Sequence, residues 1–102
     1  MRLFDVLENP NEASRHYAPY VVVLQSHHLD LLDTVVLAPL VNDSQRVVSS
    51  VDIPLEFNGQ RLVLVVAELA GIARRNASRT IGSVEAHEYE IRRAYERLLT
   101  GF

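Results

Sequence analysis

The chain has 102 residues, 48 % hydrophobic and 23 % charged, close to the globular average, so disorder is excluded and one hydrophobic core is expected. Its formal charge of −3 and pI near 5.7 argue against a surface built mainly to neutralise a phosphate backbone. No cysteine is present, which removes disulfides, thiolate nucleophiles and cysteine-rich zinc sites together.

Arg2–Leu7 alternates as an edge strand would, and Glu8-Asn9-Pro10-Asn11-Glu12-Ala13-Ser14 supplies the turn chemistry of an exposed loop after it. Pro19–Ser26 contains Tyr20-Val21-Val22-Val23-Leu24, a β-branched and aromatic run that suits a central strand buried on both faces. Thr34–Val41 resumes a Val/Leu run after a loop of about seven residues, which predicts an antiparallel pair. Pro39 restricts that second strand and predicts a bulge or bend near its end. Asn42–Ser50 is polar and reads as a surface connection.

Val51–Phe57 alternates apolar with polar, Asn58-Gly59 supplies the two positive φ values of a type I′ turn, and Gln60–Ala67 runs back, which together predict a hairpin. Pro54 has no N–H to give a ladder, so its strand lies at an edge or that position faces outward. Ala67–Gly82 mixes helical spacing with Gly71 and the polar Arg74-Arg75-Asn76, and is read as a turn and one short strand. From Ser83 as N-cap to Leu99, the spacing Val84, Glu88, Ile91, Tyr95, Leu98 marks one helix face, with Glu88 and Arg92 set for an i,i+4 pair. Gly101 stands where helices end, and Phe102 follows as an apolar anchor. Strands first and one terminal helix last predict an α+β fold in one domain over 1–102: mostly antiparallel β, with the helix packed on a twisted sheet or partly open barrel.

The segment His27-His28 with Asp30 and Asp33 holds metal-ligand residue types, but neighbouring residues of an extended segment point to opposite sides, and no metal site is expected. Ser26, His27 and Asp30 lack the Gly-x-Ser-x-Gly turn of a hydrolase, so no catalytic residue is assigned. Arg74-Arg75 with Arg79 has no interleaved aromatic residue and reads as a solvated basic loop. No phosphate-binding loop occurs, and no cofactor is expected. The apolar runs fall far short of the ~20 residues of a membrane helix, and Met1-Arg2-Leu3-Phe4-Asp5 lacks the features of a secretory signal. A cytoplasmic protein without a membrane partner is the expectation.

Tyr20-Val21-Val22-Val23-Leu24-Gln25-Ser26, then Leu29-Asp30, Leu32-Asp33-Thr34, Val36 and Pro39-Leu40, together resemble the signature of the CcdB family of toxins from bacterial toxin–antitoxin modules. The resemblance continues through Leu69-Ala70, Ile81-Gly82 and Ile91 to the closing Gly101-Phe102. It implies an SH3-like barrel, CcdB/MazF-like, of about five antiparallel strands with a C-terminal α-helix. It also implies a homodimer whose two C-terminal helices insert between the arms of the DNA gyrase A subunit and trap gyrase on cleaved DNA. Such a protein is a poison and not an enzyme, meets DNA only through gyrase, and is neutralised by a cognate CcdA-like antitoxin.

Carried over by position, the gyrase-facing set is Ser26, His28 and Leu29 from the loop, with Glu96, Leu99, Thr100, Gly101 and Phe102 from the helix end. Thr100 stands where the best-known member has an aromatic residue, and Glu96 replaces a neutral amide. A partly disordered antitoxin tail is expected on the loop of Asn9, Asn11, Glu12 and Ser14, with Arg2 and Arg15 meeting its acidic residues. Two other readings share the fold. A MazF-type ribonuclease needs a basic groove holding Arg74, Arg75 or Arg79 near a His or Thr, and a non-toxic interaction module needs no such feature.

Overall fold

The computed structural model describes residues 1–42 and 49–101, with His27 described by its backbone alone. Most of the expected surface connection, residues 43–48, and the Phe102 anchor lie outside the described residues. The strands are β1 (Asp5–Glu8), β2 (Tyr20–Val23), β3 (Thr34–Asn42), β4 (Asp52–Phe57), β5 (Gln60–Val65), β6 (Ala70–Ala73) and β7 (Thr80–Ser83), followed by helix α1 (Glu88–Thr100). All pairings are antiparallel, in the order β4-β5-β3-β2-β1-β7, while β6 pairs with the first half of β3 beside β5. The result is a curled antiparallel half-barrel carrying one C-terminal helix, the α+β, SH3-like class that the sequence predicts.

Burial follows the two-residue period of a strand. Val6, Val22, Ala38, Leu40, Leu62 and Leu64 belong to one core with Ile91 and Ala94 of α1. The intervening residues Leu7, Val21, Val23, Val35 and Leu37 form a second cluster, against which Met1, Ile72 and Ala77 pack. Strand β2 is therefore buried on both faces and central, as its Val run requires. The Asn58-Gly59 turn has φ of 55° and 79°, the mirror-image geometry that matches strand twist. Pro54 is exposed on β4, an outer strand, where its missing N–H leaves no ladder bond unmade. Gly101 ends the helix at φ 81° and donates its N–H to the Arg97 carbonyl at 2.8 Å, while Glu88 and Arg92 pair at 2.7 Å.

Four expectations are corrected. Strand β1 is interior, because Asp5–Leu7 pairs with Thr80–Ser83 as well as with β2. Ala67–Gly82 yields two strands, β6 and β7, whose stability comes from partners distant in sequence and leaves no local pattern. Pro39 pairs with Val21 in unbroken register, lying between the stretches of β3 that pair with β6 and with β5; the register shift falls at Val6/Leu7 instead. Ser83 is the last residue of β7, and its Oγ accepts the Glu85 N–H at 3.1 Å in a local turn, while Val84 holds the N-cap position of the 3-10 turn Glu85–His87 ahead of α1.

The two ends of the sheet meet through one ring. Phe57, at the end of β4, lies so close to Gly82 of β7 that a Cβ there would sit 2.7 Å from its Cε1 and Cζ. The same ring meets Tyr20 edge-on at 5.2 Å between centroids. A second tie is Phe4, a buried bulky residue at φ 73°, a conformation that costs on the order of 1–3 kcal/mol. Its N–H donates to the Val23 carbonyl at 2.8 Å and its carbonyl accepts the Val84 N–H at 2.9 Å, which joins the end of β2 to the approach of the helix.

Asn9 organises the turn after β1. Its Nδ2 donates to Ser14 Oγ at 2.9 Å and to the Ala18 carbonyl at 2.8 Å, and its Oδ1 accepts the Asn11 N–H at 2.9 Å. Asn9→Ala strands buried groups and is expected to cost about 2 kcal/mol, lowering the melting temperature by roughly 10 °C. Gly82→Ala is expected to destabilise by about 1–3 kcal/mol by displacing Phe57. A thermal double-mutant cycle with Phe57→Leu measures that contact directly: the combined variant loses less than the sum of the two single changes.

Candidate functional site

The loop between β2 and β3 is held from beneath. Gln25, 8 % exposed, donates its amide to the carbonyls of Thr34 at 3.2 Å and Leu29 at 3.4 Å. Arg74 reaches across from the segment after β6 and donates to the carbonyls of Leu32 at 2.9 Å, Leu29 at 3.3 Å and Thr34 at 3.3 Å, with Asp30 Oδ1 at 3.5 Å. Most of its donors go to the loop itself, so this guanidinium is a brace rather than a free phosphate ligand. The 3-10 turn His27–Leu29 is shaped by Ser26, whose Oγ accepts the His28 N–H at 3.2 Å and whose carbonyl accepts the Leu29 N–H at 3.0 Å.

Between this loop and α1 lies a cleft. Its apolar end, about 220 Å³, is walled by Leu3, Phe4, Leu24 and Ser26 on the sheet side and by Ile91, Arg92, Tyr95 and Glu96 on the helix side. An adjoining polar end of about 420 Å³ shares Leu3, Phe4, Ser26 and Arg92 and adds Arg2, His28 and Ser83 with the carboxylates Asp5, Glu85 and Glu88. Arg92 is the hinge between the two ends. Its Nε donates to Glu88 Oε2 at 2.7 Å, and its guanidinium lies 5.6 Å from the centroid of the Phe4 ring, a cation–π contact.

The cleft brings together Ser26, His28 and Glu96 of the expected target-facing set. Leu29 is 48 % exposed in the loop and Leu99 65 % exposed on the last helical turn. Thr100 is also exposed and donates its hydroxyl to the Glu96 carbonyl at 2.7 Å. Gly101 is exposed at the helix end, and Phe102 lies outside the described residues. The residues missed from sequence are Leu3, Phe4, Arg92 and Tyr95. Tyr95 and Arg92 carried a signal in the helical period, but nothing in the sequence announces a left-handed Phe4.

The residues of the expected antitoxin set stand in different local settings. Asn9, expected on an exposed loop, is only 6 % exposed and serves the turn. Asn11 and Glu12 are exposed and Ser14 partly so. Arg15 donates its Nε to the Asn9 carbonyl at 2.6 Å and pairs with Glu8 at 3.2 Å and Glu12 at 3.8 Å, so its charge is matched within the turn. Arg2 precedes β1 whereas Asn9 follows it, which separates them by about 13 Å of strand, and Arg2 lines the cleft instead.

Among the described residues no group of three or more His, Cys, Asp or Glu is placed to hold a metal ion, and no helix is long and apolar enough to cross a membrane.

In fold, the chain is similar to solved toxin structures. An Mtb toxin matches with a TM-score of 0.67 at 18 % identity, over 78 % of this chain and 90 % of that one. The Mycobacterium tuberculosis toxin MazF-mt6 matches with a TM-score of 0.68 at 19 % identity, over 78 % and 84 % of the two chains. An endoribonuclease in complex with its cognate antitoxin, from a Mycobacterial species, matches with a TM-score of 0.76 at 10 % identity, over 97 % and 94 %. No curated protein matches the sequence. The family model described as CcdB protein matches residues 3–101, and with nearly the whole chain covered, the protein belongs to the CcdB family of toxins.

Proposed function

We propose that this toxin of a toxin–antitoxin module acts by binding the DNA gyrase A subunit and trapping gyrase on cleaved DNA. The observation that carries the reading is that Ser26 and His28 of the loop and Arg92, Tyr95 and Glu96 of α1 line one preformed cleft. Gly101 ends the helix in the left-handed conformation. Leu29 and Leu99 are large apolar side chains left 48 % and 65 % exposed, and interface energy concentrates in a few such anchors. A homodimer presents this face twice, which suits a two-fold target. Poisoning of this kind is binding and not catalysis, and it calls for no cofactor. A cognate antitoxin is the partner that neutralises the toxin, as an antitoxin accompanies the endoribonuclease of like fold.

A ribonuclease reading has one observation in its favour, the polar end of the cleft with Arg2, His28 and Arg92. Its cation content is offset by Asp5, Glu85 and Glu88 in the same cavity, and the Arg92–Glu88 pair already occupies one guanidinium edge. Arg74, one of the groove residues this reading calls on, is committed to bracing the loop.

Purified protein added to the host's gyrase, plasmid DNA and ATP is expected to accumulate linear DNA after detergent and protease treatment. Leu99→Asp, at an exposed position, leaves the melting temperature within a few degrees and weakens gyrase binding by about 2 kcal/mol, roughly thirtyfold. Removing Thr100–Phe102 is expected to preserve the fold and abolish the linear product. Degradation of messenger RNA by the purified protein, with gyrase unaffected, establishes the ribonuclease reading instead.

A further inference from the structure

A second groove lies on the other flank of α1. About 500 Å³ in volume, it runs between His87 of the 3-10 turn with Tyr89, Glu90, Arg93 and Arg97 of the helix, and Ser49, Ser50, Asp52, Ile53 and Pro54 on the outer strand β4 and its approach. It shares no residue with the cleft that carries Ser26 and Glu96.

Two cations on this flank are unmatched. Arg92, one position away, pairs with Glu88, whereas Arg93 and Arg97 form no ion pair with the described residues. Arg93 donates Nη1 to the Tyr89 hydroxyl at 3.1 Å and lies 5.8 Å from that ring's centroid; Arg97 donates Nη1 to the Ser50 carbonyl at 3.3 Å. These contacts orient the guanidinium groups without neutralising them. Two carboxylates share the groove. Asp52 is 8 % exposed and accepts the Ser49 N–H at 3.2 Å, and Glu90 is exposed on the helix.

We infer that this groove binds a short extended acidic segment of a partner protein. The spacing argument is geometric: Arg93 and Arg97 are one i,i+4 step apart, a rise of about 6 Å along the helix. Alternate residues of an extended peptide lie about 6.6 Å apart on one side. A pattern of carboxylate, any residue, carboxylate therefore meets both arginines, and the residue between turns away. Tyr89, 69 % exposed, and Pro54 offer apolar contact at the two walls. Pro54 cannot donate from the outer edge of β4, so the segment is held by side chains and not by a full added strand. The inference is independent of gyrase targeting, since it uses only this groove.

Titration of the 15N-labelled full chain with hexaglutamate at low salt tests it. Amide shifts are expected at Ser50, Tyr89, Arg93 and Arg97. Affinity is expected to fall about tenfold or more in R93E/R97E and in the neutral R93Q/R97Q, with hexalysine giving no shifts there. Shifts centred on Arg15 or Arg2, undiminished binding by R93Q/R97Q, no saturable shift at any residue, or equal competition by a short thymidylate oligonucleotide overturns the proposal. Growth arrest by R93Q/R97Q is read separately and reports on the gyrase-facing cleft alone.

Discussion

A curled sheet with two free ends must be closed by something, and in this chain the closure is the packing of the Phe57 ring against Gly82. The contact joins β4 to β7, the outermost strands of the sheet order. With those ends together, the inward residues of five strands and the apolar stripe of α1 fill a single core. Each fully buried Leu, Val or Ile there contributes about 1.5–3 kcal/mol, a gain available only while the sheet stays curled. Gly82 is needed because any Cβ collides with the ring; here the glycine serves close approach and not a turn.

The site depends on the same closure. Strand β7 leads through Ser83 and Val84 into α1, and Phe4 ties that junction to the end of β2 by two backbone hydrogen bonds. The strained φ of Phe4 sets the ring beneath Arg92, where the two ends of the cleft meet. Gln25 and Arg74 fix the opposite wall by taking up loop carbonyls. The walls are therefore set by backbone and core, and the exposed Leu29 and Leu99 are not needed to hold them.

What the sequence made legible was what local chemistry decides. Asn58-Gly59 announced its turn, Tyr20–Val23 its central place, Gly101 the helix stop, and Glu88 with Arg92 their pair. The interior position of β1 was not legible, because its partner lies some 75 residues away and Thr80-Ile81-Gly82-Ser83 has no strand signature of its own. Ser83 has the residue type of a helix cap, but it closes β7 and its hydroxyl serves the Glu85 N–H, four residues short of the α1 cap position at His87. The resemblance located Ser26, His28 and Glu96, which the fold gathers in one cleft. It could not foresee that Asn9 is consumed by its own turn or that Arg15 is neutralised by Glu8 and Glu12. Those are tertiary facts about which partner a polar group has already found.

The proposed target-facing surface is formed by the β2–β3 loop and the end of α1. The absence of cysteine permits a direct measurement, with a photo-crosslinker placed on a single introduced cysteine. Attached at Leu29 or Leu99 and irradiated with the host's gyrase A subunit, the probe is predicted to give a covalent adduct. At Glu12, on the turn after β1, or at Glu56, on the outer strand, it is predicted to give none. Adducts from Glu12 or Glu56 with none from Leu29 and Leu99 contradict the account.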